Sequence, residues 1–195
     1  GIKASQSPDW IKGSAIYQVH PYIWDFGGFK SLGEQLERIK NMGFDILYLP
    51  PLHPSRSYCQ RSITHILDSY GSREDFLALN DKAKKLGMKI IVDTVPHSML
   101  PGSDICREHP EWIARDETSS EMGWSTSNWQ MDVTNEGWQN HYVESCVEWA
   151  LSDRFDGFRV DAMICFPPDW SGSGNYLWPG RKSWGSVEMM QRLHT

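Results

Sequence analysis

Four short apolar runs, each set off from the next by helical periodicity, constrain the fold of this chain more than any other feature. They fall at residues 15–20, 44–49, 88–95 and 156–161. In the second and third, apolar residues sit side by side rather than alternating. That is the pattern of a parallel sheet covered on both faces. Ser31 is expected to open the first helix, with Leu32, Leu36 and Ile39 at i, i+4 and i+7 and a stop at Gly43. Ser72 with Asp75 makes a capping-box start for a second helix, carrying Phe76, Leu79 and Ala83 and ended by Gly87. Residues 96–134 read as a long irregular insertion. Asn135 is expected to cap a helix presenting Trp138, Tyr142, Cys146 and Trp149, and Ser186 opens a last helix over 187–193.

Strand and helix thus alternate through four units, which predicts an α/β fold. Four βα units are half of a (β/α)8 TIM barrel, here one domain over 1–195 with an insertion at about 96–134. Chemistry in such barrels collects at the carboxyl ends of the strands. The unusual polar residues lie at those ends: Asp93 and His97 after the third strand, Arg159 and Asp161 in the fourth. A doubly wound open sheet is the rival architecture. No glycine-rich phosphate loop follows the first strand to favour it.

Composition narrows the function classes. A net charge of −6 argues against non-specific nucleic-acid binding, which needs basic surface to displace counterions. No apolar run approaches the ~20 residues of a membrane helix. Residues 1–10 have no apolar stretch of the signal-peptide kind, so nothing there is expected to direct secretion, and localisation stays open. Tryptophan, at 10 residues, outnumbers Tyr and Phe at 7 each, and much of it sits among Gly, Ser and Pro. Loop tryptophans offer flat faces to carbohydrate; loop tryptophans that close a core are the alternative. Cys59, Cys106, Cys146 and Cys165 form no C-x-x-C pair, which disfavours zinc. Free buried thiols are expected, with disulfides an open alternative.

Five motifs then occur in order at suitable spacing. They are Y-Q-V-H-P at 17–21, G-F-D-I-L-Y-L-P-P at 43–51, Y-G-S-R-E-D-F at 70–76, the third-strand segment 89–98, and G-F-R-V-D at 157–161. Together they resemble the α-amylase superfamily, glycoside hydrolase family 13, from the first strand of its catalytic barrel through the fourth helix. That is nearly the whole of this chain.

The resemblance implies a carbohydrate-active enzyme, a glycoside hydrolase or transglycosylase, that cleaves α-glucosidic bonds of an α-glucan or oligosaccharide with retention. Asp161 matches the nucleophile. A carboxylate there can attack an anomeric carbon and form a covalent glycosyl-enzyme. Arg159, two residues earlier, shares its strand face, and its permanent charge would keep Asp161 ionised. Asp93 matches the aspartate that helps hold the arginine and nucleophile in place. Tyr58, thirteen residues before Gly71, falls where some members carry a tyrosine that stacks on the sugar.

The departures are informative. The third-strand motif D-x-V-x-N-H has His97 at its asparagine and Ser98 at its histidine. In the family that histidine binds the sugar, so His97 is expected to take over the contact or the contact is lost. The asparagine is a calcium ligand in many members. Calcium is therefore the one cofactor the resemblance brings into view, and this replacement argues against it. The family's acid/base glutamate comes from the fifth strand, beyond Thr195. Glu188, the one glutamate after Asp161, lies in the periodic segment 187–193 and is a poor general acid. The chain is accordingly expected to be an N-terminal fragment of a longer enzyme. An inactive amylase-like carbohydrate-binding or structural relative is the alternative.

Overall fold

The structure, a computed structural model, describes residues 7–19, 27–53, 58, 60–115, 120, 121, 123–125, 128–162 and 185–194. Its strands are β1 (Ile16–Gln18), β2 (Ile46–Leu49), β3 (Lys89–Thr94), β4 (Ser98–Met99), β5 (Gly123–Ser125), β6 (Asn128–Gln130) and β7 (Gly157–Val160). Its α-helices are α1 (Gly28–Asn41), α2 (Arg73–Lys85), α3 (Asp104–Glu108), α4 (Glu136–Asp153) and α5 (Gly185–His194). The chain divides into two units. One comprises Gly1–Leu52, Ile66–Asp93 and Trp149–Arg159; the other comprises His53–His65, Thr94–Glu148 and Val160–Thr195.

The first unit is built on the sheet β1-β2-β3-β7. β1 and β2 run parallel with Ile16 opposite Ile46, and β2 and β3 run parallel with Leu47 opposite Ile90. Adjacent residues Ile46 and Leu47 are both buried, so both faces of the sheet are covered. Leu47, Leu49, Ile90 and Val92 pack with Leu32 and Leu36 of α1 and with Phe76 of α2. Each such side chain contributes roughly 2 kcal/mol by leaving water.

Local chemistry sets the helix ends. α1 begins at Gly28, three residues before the expected Ser31, because Gly27 (φ +78°) and Gly28 (φ +87°) turn the chain into the helix by themselves. A Cβ on Gly28 would lie 2.7 Å from the Tyr70 carbonyl oxygen, so no other residue fits there. At α2 the capping box forms in full: Ser72 Oγ accepts the Asp75 N–H at 3.2 Å, and Asp75 Oδ2 accepts the Ser72 N–H at 3.1 Å. The latter bond is the main reason the Asp75 carboxyl lies below its ordinary range.

The second unit departs from the expected irregular insertion. Residues in 96–134 include the antiparallel sheet β4-β6-β5, with Ser98 opposite Gln130, and the short helix α3. Strands of two and three residues leave no room for an alternating pattern to be read. Asn135 Oδ1 accepts the Trp138 N–H at 3.2 Å and so caps α4 as expected. His109 stacks on Trp112 at 3.7 Å, and Trp112 lies 6.0 Å from Trp138. These two tryptophans, and Trp149 in the first unit, are buried core residues rather than faces for a ligand. Cys106 and Cys146 are free and buried, and burial pushes the Cys146 thiol up to about 12. Cys59 and Cys165, like Trp24, Trp170, Trp178 and Trp184, lie outside the described residues.

His53 is buried in the second unit, and neither of its ring nitrogens has a hydrogen-bond partner among the described residues. Burial penalises the imidazolium and lowers its pKa from 6.5 to about 4. Between those two values the unfolded chain binds a proton that the folded chain refuses, so stability rises with pH across this window and falls on acidification. Taking the pH from 7 to 5 should cost the wild-type chain about 2 kcal/mol through this group alone. Urea unfolding at the two pH values should show that loss in the wild type and a clearly smaller one in His53→Phe. Equal losses in both proteins would exonerate His53.

Candidate active site

Two side-chain pairs stand at the carboxyl ends of β3 and β7, one in each unit. In the first unit Asp93 is fully buried. Its Oδ2 accepts the Tyr48 hydroxyl, and its two carboxylate oxygens each accept Arg159 Nη1 at 3.2 Å. The sheet register explains the convergence. Tyr48 of β2 stands opposite Ile91, and Asp93 lies two residues farther along the same face of β3. A buried carboxylate is tolerable here because a cation and a phenol compensate it. Arg159 keeps 43% of its side chain exposed while holding Asp93.

In the second unit Asp161 follows the last residue of β7. Its N–H donates to the Thr94 carbonyl at 2.9 Å, which continues the strand pairing by one step. Asp161 Oδ2 lies 3.2 Å from His97 Nε2, with His97 fully buried and the Asp161 side chain 18% exposed. Two acceptors would repel at that distance, so Nε2 carries the proton and donates to the carboxylate. The next residue, Ala162, has φ +48°. A left-handed alanine costs on the order of 1 kcal/mol, and such conformations collect at functional sites. The extended backbone therefore ends at Asp161, with its carboxylate at the strand end. Behind it, Thr94 Oγ1 and the Tyr142 hydroxyl of α4 are 2.7 Å apart.

The structure brings Asp93 together with Arg159, and His97 together with Asp161. His97 has no exposed surface, and its Nε2 faces Asp161. Tyr58 lies in the second unit at a left-handed turn (φ +62°), and its carbonyl accepts Asn128 Nδ2 at 3.3 Å. Glu188 lies on α5, where its Oε2 accepts Gln139 Nε2 of α4 at 3.3 Å. Helix-to-helix bonding of this kind places it on a helical face rather than at a strand end. Sequence reasoning missed Tyr48 as the partner of Asp93. The signal was present, since Tyr48 is the one hydroxyl within the apolar stretch I-L-Y-L.

The oxygen donor that the motif's asparagine would offer calcium is replaced in this chain by an imidazole. The position of the motif's asparagine carries His97, whose Nε2 is directed at Asp161.

Comparison with known proteins identifies the family and the fold. A family model described as "Alpha amylase, catalytic domain" matches residues 10–111, and one described as "Hypothetical glycosyl hydrolase family 15" matches 84–174. An α-glucosidase of Saccharomyces cerevisiae is 27% identical over 204 aligned residues, covering 79% of this chain and 35% of that enzyme. A probable oligo-1,6-glucosidase of Bacillus subtilis is 26% identical over 160, covering 74% of this chain and 27% of that protein. Among solved structures, a maltogenic α-amylase of Thermotoga neapolitana superposes with a TM-score of 0.71 at 26% identity, over 78% of this chain and 39% of that one. A trehalose-6-phosphate hydrolase of Bacillus licheniformis gives 0.77 over 96% of this chain and 43% of that one. Its 20% identity speaks for the fold alone. The chain spans between a fifth and just over a third of the length of the curated relatives it matches. With the α-amylase model covering more than half of the sequence and the solved relatives sharing its parallel α/β sheet, this chain belongs to the α-amylase catalytic-domain family and forms part of its TIM barrel.

Proposed function

We propose that this chain supplies the nucleophile-bearing part of a glycoside hydrolase or transglycosylase that acts on α-glucosidic bonds with retention. The observation that carries the reading is Asp161: a partly exposed carboxylate at the end of a parallel strand, fixed by its amide to Thr94 and hydrogen-bonded by His97. In the proposed reaction an Asp161 carboxylate oxygen attacks the anomeric carbon as the bond to the leaving oxygen breaks. A general acid delivers a proton to that oxygen, and water or a sugar hydroxyl then displaces Asp161 from the glycosyl ester. The acid is assigned to a part of the parent protein outside this chain, since Glu188 is committed to a helical face.

An α-glucoside or α-linked oligosaccharide is the proposed substrate class. The activities for which the relatives are named support it: α-glucosidase, oligo-1,6-glucosidase and trehalose synthase. Neither nucleic acid nor membrane is a proposed partner. No helix among the described residues is long and apolar enough to cross a membrane. One observation favours the competing reading of an inactive sugar-binding relative. The motif histidine is replaced by the buried Ser98, and its neighbour His97 is buried as well.

In the complete parent enzyme, Asp161→Asn should lower kcat by several orders of magnitude and leave KM and the thermal midpoint nearly unchanged. The amide is almost isosteric and still accepts from His97, but it lacks the charge that attacks and stabilises the anomeric centre. Arg159→Lys should also be damaging, because a compact, strongly hydrated ammonium is a poorer partner than a guanidinium for the buried Asp93 carboxylate. Near-normal turnover by Asp161→Asn on an α-glucan would remove Asp161 from the mechanism.

The chain by itself should turn over maltooligosaccharides poorly. General acid catalysis is typically worth ~10²–10⁴-fold, and no group at the strand ends described above supplies it. Ordinary amylase-like turnover in a reducing-sugar assay would contradict this and make Glu188 the next residue to mutate.

A further inference from the structure

Resting on the reading of Asp161 as nucleophile, we propose that Gln60 is a positioning residue that sets the place of Asp161 through His97. The Gln60 side chain is buried, and its Nε2 donates to two backbone carbonyls, Val95 and, at 3.3 Å, Ser98. Those carbonyls flank His97 on either side. The carbonyls between them are also taken: Pro96 accepts Trp138 Nε1 at 3.0 Å, and His97 accepts the Met131 N–H at 2.8 Å. Gln60 is itself tied down, because its carbonyl accepts the Leu100 N–H at 2.8 Å. Loop and turn are therefore interlocked.

Residues 92–99 are all buried. Their carbonyls are cut off from water, and one left without a donor would cost about 1–3 kcal/mol. A primary carboxamide suits the position because a single nitrogen carries two hydrogens and can serve two carbonyls at once. The consequence reaches the chemistry through His97. Its ring has no exposed surface, so its position follows the turn backbone, and its Nε2 lies 3.2 Å from Asp161 Oδ2. A displacement of the turn by about 1 Å would carry that contact beyond hydrogen-bond range. A misplacement of this size at a reacting group is worth on the order of 10²-fold in rate. Trp138 shares the task but is also a fully buried core ring, so Gln60 is where positioning can be separated from packing.

The test uses the full-length protein carrying Gln60→Met, which keeps the length of the side chain and removes both donors, and Gln60→Glu. Gln60→Met should lose on the order of 10²-fold in kcat on a maltooligosaccharide with KM little changed. In Gln60→Glu, a carboxyl facing two carbonyls restores one donor when protonated and none when ionised. The ratio of variant to wild-type kcat should therefore climb as pH falls, whereas a space-filling role would leave that ratio flat. A third readout does not need turnover: in protein labelled with ¹⁵N-histidine, the His97 ring resonances should shift in Gln60→Met. Wild-type kcat in a folded Gln60→Met, a pH-independent ratio in Gln60→Glu, or unmoved His97 resonances would overturn the proposal. If Gln60→Met does not fold, Gln60→Glu decides. If the wild-type parent cleaves no α-glucoside, the functional reading fails, and the His97 resonances alone decide the role of Gln60.

Discussion

The pairing of β7 with β3 is the constraint on which the rest of this structure depends. Asp156 N–H donates to the Ile90 carbonyl at 2.9 Å and Asp161 N–H donates to the Thr94 carbonyl at 2.9 Å. Residue numbers rise on both strands between these two bonds, by four on one and five on the other, so the pairing is parallel with an irregular step before Asp161. A parallel neighbour more than sixty residues away in sequence needs a long crossover, and α4 is its helix. Once the register is fixed, side chains two residues apart share a face. Arg159 then meets Asp93 within the first unit, and the Asp161 amide meets Thr94 within the second. A slip of one residue would turn each of these side chains to the opposite face. The chemistry and the sheet register are therefore one constraint.

Elements governed by short-range rules were legible in the sequence. Ser72 and Asp75 announced a capping box because its two hydrogen bonds span only three residues. The strands were legible where apolar residues run together, and the third and fourth carried the motifs that pointed to the family. Other features depend on contacts far apart in the chain. Position 28 admits only glycine because the Tyr70 carbonyl crowds it, and Tyr70 lies far from it in sequence. The antiparallel strands within 96–134 are too short to show a period. Loop tryptophans could be read by composition as faces for a ligand, yet Trp112 stacks on His109 and packs against Trp138 in the second unit. Within the site, the residue types at the strand ends could be read. The pairing of His97 with Asp161 across sixty-four positions could not.

His97 shows how one substitution redistributes roles. An asparagine at this position of the motif offers a short amide. A histidine is longer and carries a proton on a ring nitrogen, so from a buried place it can donate to a carboxylate on another strand end. Such a charge-assisted bond is stronger than one between neutral groups and holds Asp161 Oδ2 toward the ring. The cost of this arrangement is that an imidazole must be held where solvent cannot reorient it.

That cost explains why the polypeptide around His97 is so fully hydrogen-bonded. A donor bond to Asp161 fixes only one atom of the ring, and the remaining freedom lies in the backbone that carries it. Saturating the carbonyls on both sides of His97 removes that freedom, because any rotation there would leave a buried carbonyl without a donor. The strained backbone of Ala162 acts on the other partner, ending the extended backbone at Asp161. Each device costs or protects on the order of 1 kcal/mol, too little to define a fold. Applied on both sides of a 3.2 Å contact, they are sufficient to keep a carboxylate in one place.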